Sequence, residues 1–213
     1  MTFCSILILL NTRNADYTPM AHYSFVNELL RKGIHLTSII IVLVYAFYGK
    51  QAVLTLLITY LVLILVIEHL RLDRGLELPF INPLFRQKEI ANIGSHVFFT
   101  LGALVAVAVF SREIAYAAIL MTTFGDMSAA LVGRSIGKHR VLRSGKSVEG
   151  CTAEFFVDFV IGYAFLSSLP LALLMALTAT LVETFFRRID DNLAIPVFSG
   201  FVVEIFLYLD LFT

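Results

Sequence analysis

The amino-acid sequence predicts an all-α integral membrane protein: a bundle of about seven transmembrane helices, N-terminus cytoplasmic and C-terminus outside. Three observations carry this. Of 213 residues, 59% are hydrophobic and only 15% charged, and the mean hydropathy is +0.87. Soluble domains run at about 45–50% apolar and about 25% charged. The apolar residues gather in runs close to the roughly 20 that a bilayer-spanning helix needs. Finally, the basic residues fall almost wholly in alternate connections between those runs. The same figures exclude a disordered chain, a collagen and a disulfide-stapled secreted domain. A net charge of zero, from 16 basic and 16 acidic residues, leaves no global field for nucleic acid.

Residues 1–19 stand apart. The apolar stretch 3–10 is too short to span, and 11–19 is polar. With no basic region before it and no small-residue cleavage site, it fits a secretory signal poorly. It is treated as an N-terminal extension of undetermined role. The spans then come in order: 25–48, with an amphipathic entry containing Glu28, Arg31 and Lys32; 52–70; 93–110; 114–132; 151–169; the short 171–186; and 193–212. Pro170 and Pro196 are placed at segment edges, where a missing N–H costs little. With no Trp in the chain, Tyr45, Tyr48, Tyr116 and Tyr208 are expected to form the interfacial belt. Cys4 and Cys151 share no metal-ligand spacing and read as free thiols.

Charge placement sets the orientation. Inner segments hold Arg13, Arg31 and Lys32, then Arg71, Arg74, Arg86 and Lys88. They also hold Arg134, Lys138, Arg140, Arg143 and Lys146, and finally Arg187 and Arg188. Outer loops keep Lys50 and Arg112 alone. Seven spans with the N-terminus inside satisfy the positive-inside rule.

Ionisable residues inside spans are expensive and are functional candidates by default. In this topology Glu68, His69, His96, Asp126, Glu154, Asp158 and Glu183 all lie toward the cytoplasmic side, with Asp190, Asp191 and Asn192 just beyond; Glu204 is the exception, mid-helix. Glu154 and Asp158, at i,i+4, share one helix face. Their bland alternative is salt bridging to Arg134 or Lys146. A transporter is expected to carry polar groups near the midplane or along a whole path, so a one-sided cluster favours a site open to the cytoplasm. His22 and His139 read as solvated, His35 and His96 as structural.

The densest stretch is the loop 134–150. It has five basic residues against the single Glu149, with Gly137, Gly145 and Gly150 for turns. Backbone N–H groups at glycines and Lys or Arg side chains bind phosphate; anionic lipid headgroups would attract the same loop. Gly145-Lys146-Ser147 lacks the upstream spacing of a P-loop. The carboxylates tip the balance, because a polyphosphate brings Mg²⁺, which binds through one or two carboxylates plus phosphate oxygens. Asp126, Glu149, Glu154, Asp158, Glu183 and Asp191 can all approach this loop. Charge neutralisation with in-line positioning is what phosphoryl or nucleotidyl transfer requires. Gly125, Ala129 and Gly133, by contrast, have the small-xxx-small spacing that packs membrane helices whatever the function.

At these residues the sequence resembles the CTP-dependent lipid kinases, the family of dolichol kinase, phytol kinase and the fungal-type diacylglycerol kinase. Arg31-Lys32-Gly33-Ile34-His35 is similar to its Arg-Lys-x-x-His block. Gly125-Asp126, Gly133-Arg134, Gly137-Lys138 and Lys146-Ser147-Val148-Glu149-Gly150 resemble its central series. Glu183 followed by Asp191-Asn192-Leu193-Ala194-Ile195-Pro196 resembles its ending. Cys151 departs from the Ser usual there.

The resemblance implies a kinase that moves the γ-phosphoryl of CTP to the hydroxyl of a membrane lipid alcohol. A polyprenol- or dolichol-type isoprenoid alcohol stands first among acceptors, with diacylglycerol and phytol also open. Mg²⁺ or a similar divalent cation is the implied cofactor. Asp126, Lys32 and Arg31 become the catalytic candidates, and Arg134, Lys138, Lys146 and Ser147 the phosphate ligands. Asp126, Glu149, Glu183 and Asp191 become candidate metal ligands, with Asn192, His35, Glu154 and Asp158 in support. Residues 20–213 then form a single transmembrane catalytic domain, in a prokaryotic plasma membrane or an equivalent internal membrane, its site facing the cytoplasm. The partners expected are the lipid alcohol and CTP, and no nucleic acid; oligomeric state is open. A lipid cytidylyltransferase and a small transporter are the competing readings.

Overall fold

A computed structural model describes residues 36–74, 92–141, 146–186 and 188–209. Its described part is helical: α1 (Ser38–Arg74), α2 (Ser95–Val109), α3 (Arg112–Leu120), a π-helical turn (Met121–Gly125), α4 (Asp126–Ser135), α5 (Val148–Leu166), α6 (Leu169–Phe185) and α7 (Asp191–Tyr208). α1, the continuous rod Arg112–Ser135 and α7 are long and apolar enough to cross a membrane, and α2 and α6 are shorter apolar helices. α5 matches them in length but carries Glu149, Glu154 and Asp158.

α1 is two helices. Gly49 interrupts it at φ 81, ψ 178, outside helical space; only glycine reaches that region without strain. Before the break, Ser38 bonds Thr123 and Tyr45 packs edge-on against Tyr116 at 5.2 Å. After it, Lys50 Nζ donates to the Ala108 carbonyl near the end of α2, and Glu68 reaches Gly94 at its start. Ile40 and Ile41 line one cavity with Leu56, Leu57 and Tyr60. In a straight helix Ile40 and Leu57 would lie roughly 25 Å apart at 1.5 Å per residue. The chain therefore folds back at Gly49, which separates the first two helices read from the sequence.

Two expectations are corrected. Tyr45 and Tyr116 are buried: their rings meet edge-on between α1 and α3, with the Arg112 guanidinium over the Tyr45 ring, while Tyr48 and Tyr208 are exposed. Pro196 lies inside α7, which begins at Asp191 and not at 193. Its ring leaves the Asn192 carbonyl without the usual helical N–H, and Gly102 of α2 packs against that carbonyl and the proline.

The core runs through α3 and the π turn, whose Ile114, Ala117, Ala118 and Met121 are all but inaccessible. Around the site, small residues decide how closely helices approach. A Cβ on Gly150 would stand 2.8 Å from the Ala129 carbonyl oxygen and 3.2 Å from Gly133 Cα, so α4 and α5 pack backbone to backbone through the small residues picked out in the sequence. Gly150→Val is expected to cost about 1–3 kcal/mol, the usual penalty of overpacking. Thermal unfolding in detergent, beside Thr152→Val on the exposed side of the same helix, checks it.

Candidate functional site

The central feature lies at one end of the bundle, where the ends of α4 and α6 meet the starts of α5 and α7. A cavity of about 420 Å³ is lined there by Asp126, Ala129, Gly133 and Arg134 of α4 and by Gly137 and Arg140 beyond it. Lys146, Ser147, Gly150 and Cys151 line it from the α5 side, with Glu183 of α6 and Asp191 of α7.

Local structure explains how each side chain arrives. Asp126 comes directly after the π turn, in which Thr122 and Thr123 return their hydroxyls to the Ala118 and Ile119 carbonyls. A π turn widens the helix and rotates the residues after it, and such turns recur at functional sites. Beyond Gly137, residues 139–141 pair with 146–148: Arg140 and Ser147 form an isolated antiparallel bridge, Val141 N donates to Lys146 O and Val148 N to His139 O, both at 2.8 Å. That bridge turns Arg140 and Lys146 into the cavity. Ser147 then caps α5, its Oγ accepting from Gly150 N at 3.0 Å. The hydroxyl keeps its proton to donate, and the start of a 19-residue helix adds its dipole to a site for anions.

Of the charged residues lining the cavity, Glu183 is the most buried. Its Oε1 is 2.5 Å from Lys146 Nζ, while Oε2 is buried without a hydrogen-bond partner. Behind it Glu154 and Asp158 are each 1% exposed; neither oxygen of Glu154, nor Oδ1 of Asp158, has a hydrogen-bond partner. Glu154 faces Glu183, and Asp158 fills the space that Gly125 leaves open beside Asp126. The salt bridges to Arg134 or Lys146 that would have explained these two carboxylates structurally do not form among the described residues. Buried carboxylates cost several kcal/mol unless paired, which makes this concentration of them a candidate functional feature.

Other sequence candidates lie nearby. Asn192 is buried and donates through Nδ2 to Asp190 Oδ1 at 2.8 Å, ordering the start of α7 beside Asp191. Lys138 is exposed and off the cavity wall. Glu149 also turns away, its Oε1 2.8 Å from His139 Nδ1. Its carboxyl is drawn down to about 2, first by its own backbone N–H, then by the His139 side chain. The Glu149 carboxyl should therefore titrate near 2 in ¹³C NMR, not near 4.5, and His139→Ala should move it upward. Because the folded value is the lower one, the tether is complete above pH 4.5 and is lost as pH falls through 2. Arg31, Lys32 and His35 lie outside the described residues. Sequence reasoning misses Arg140 and Cys151 as residues that line this cavity. Arg140 is one basic residue among five in its loop, and only the bridge to Ser147 distinguishes it. Cys151, whose Sγ is 3.3 Å from Thr184 Oγ1, is hidden by its departure from Ser.

Among the described residues no three His, Cys, Asp or Glu side chains form a preassembled metal cage. Mg²⁺ does not need one: it keeps waters and takes one or two carboxylates together with substrate phosphate. Asp126, Glu183 with its unpartnered Oε2, and Asp191, which line the same cavity, fit that mode.

Fold and cavity together define an all-helical protein with membrane-type apolar helices and a polar cavity, rich in acids and cations, at one end. The chain belongs to the same family as an uncharacterized protein of Rickettsia prowazekii, with 32% identity over 85% of this chain and 96% of that one. An uncharacterized protein of Methanocaldococcus jannaschii is 26% identical over 83% of this chain and 93% of its own length. CTP-dependent diacylglycerol kinase 1 of Schizosaccharomyces pombe is 28% identical over 56% of this chain and 63% of the yeast protein. No family model and no solved structure matches.

Proposed function

We propose that the chain is a CTP-dependent lipid kinase, transferring the γ-phosphoryl group to the hydroxyl of a membrane lipid alcohol at the cytoplasmic face of a seven-helix bundle. The observation that carries this is the cavity itself, which Asp126, Glu183 and Asp191 line together with Arg134, Arg140, Lys146 and Ser147. The similarity to a CTP-dependent diacylglycerol kinase supports it. The fold-back at Gly49 agrees with two spans before α2, and the distribution of basic residues supports an N-terminus inside.

In this reading Arg134, Arg140 and Lys146 neutralise the triphosphate, and the Ser147 hydroxyl and the start of α5 orient it. Glu183 and Asp191 would hold Mg²⁺ together with phosphate oxygens, and the ion would supply charge neutralisation on the transferred group. The lipid oxygen bonds to the γ-phosphorus, the bridge to the β-phosphate breaks, and CDP leaves with that electron pair. Asp126 takes the hydroxyl proton or shares in holding the ion; both roles need its charge. Isoprenoid alcohols come first as acceptors, then diacylglycerol.

The test uses purified protein, Mg²⁺ and a panel of lipid alcohols plus phosphatidate, with CTP labelled at the α or γ position. Label entering lipid from the γ position alone supports the kinase. Label from the α position means a cytidylyltransferase. Label from neither, in folded protein, moves the function to transport or binding.

A further inference from the structure

A second cavity, of about 240 Å³, lies between the two limbs of α1 and α2. Ile41, Leu57 and Phe99 make its walls apolar, and Thr37, Tyr60 and His96 add the polar groups. The wall at His96 is braced: His96 Nε2 stands 3.4 Å from Glu68 Oε1, and Glu68 also holds Arg71 and accepts from Gly94 N. Two bonds tie this region to the phosphate cavity. Ser38, next to Thr37, shares a 2.8 Å hydrogen bond with Thr123 in the π turn that delivers Asp126. Ser95, next to His96, donates to Asp190 Oδ2 at 3.4 Å, beside Asp191.

We propose that this cavity seats the first hydrocarbon segment of the lipid alcohol acceptor, its hydroxyl end turned toward the π turn and Asp126; this rests on the kinase reading. Charge supports an alcohol over a phospholipid. No Lys or Arg is among the described residues lining the cavity, so among them an anionic headgroup meets no counter-charge, whereas an uncharged hydrocarbon segment suits the apolar walls of Ile41, Leu57 and Phe99. Size supports a single segment, since sites that enclose a whole drug-sized ligand run to about 300–1,000 Å³. Access supports entry from the bilayer, because the wall residues Ile40, Leu56 and Tyr60 are also exposed on the outside of the bundle.

The test is photo-crosslinking of the full chain in phosphatidylcholine nanodiscs with a diazirine-bearing C15–C20 prenol, mapped by mass spectrometry. Labelling concentrated in 37–41, 56–60 and 96–100, and displaced by unlabelled prenol, is expected. In parallel, Ile41→Trp should raise the apparent KM for the alcohol at least tenfold and leave that for CTP within twofold, with Phe156→Trp on the exposed face of α5 as control. Labelling spread evenly over exposed residues such as Phe47 and Phe201 would make the cavity ordinary bilayer contact and overturn the proposal. Absence of label there, with label elsewhere, would show the cavity filled by the chain itself and overturn it equally. If Ile41→Trp does not fold, the crosslinking map decides alone. Displaceable labelling in a protein that transfers no phosphate leaves the lipid seat standing and removes the kinase; transfer without labelling does the reverse.

Discussion

Asp126→Asn is expected to lower kcat by roughly 10³-fold, within the range that a positioned acid–base group contributes, while leaving the protein folded and inserted. The side chain is nearly isosteric, so the packing of the π turn and α4 against α5 is kept. What is lost is one negative charge on the cavity that Glu183 and Asp191 also line. An amide can neither accept the hydroxyl proton nor hold a hard cation as a carboxylate does. Initial rates with γ-labelled CTP, beside the melting temperature of both proteins, check this. Near-normal turnover would remove Asp126 from the site, and a large drop in melting temperature would make its role structural. The effect should appear in kcat more than in either KM, because the charge is needed while the phosphoryl group is in flight.

Much of this is legible in the sequence because a membrane protein writes its polar residues sparingly. When so few charges stand in apolar runs, each one is informative, and Asp126, Glu154, Asp158 and Glu183 can be picked out from spacing alone. The structure brings Asp126, Arg134, Lys146, Ser147, Glu183 and Asp191 to one cavity. The failures share a cause, for they depend on how the backbone turns. Periodicity cannot show that Glu149 bends back to His139, nor that the Arg140–Ser147 bridge points Arg140 inward. Tyr45 and Tyr116 look interfacial by position along their helices, but which side of a nearly uniformly apolar helix faces its neighbours is not written in hydropathy. Pro196 is misplaced for a related reason: the polar run Asp190–Asn192 reads as a loop, whereas Asp190 caps the helix by accepting from Asn192 N.

Lys146→Ala should separate the two roles that one side chain plays. Its nitrogen is 2.5 Å from a carboxylate that is nearly fully buried, while the lysine itself is 31% exposed. Removing it strands the Glu183 charge next to Glu154 and Asp158. Breaking a buried pair from one side costs about 3–5 kcal/mol, and the lysine's exposure places this case near the lower end. Stability should therefore fall by about 3 kcal/mol, and Glu183→Gln in the same chain should restore most of it by removing the stranded charge. The nucleotide effect should not be restored. Lys146 is a cation on the phosphate cavity, so the apparent KM for CTP should rise at least tenfold in the single and the double variant, while that for the lipid changes little. A rescued melting temperature with an unrescued nucleotide KM is the expected pair of results, read by thermal unfolding and by initial rates. An unchanged nucleotide KM would instead return the basic loop to a lipid-headgroup contact, since a surface charge of that kind acts on membrane association and not on the bound triphosphate.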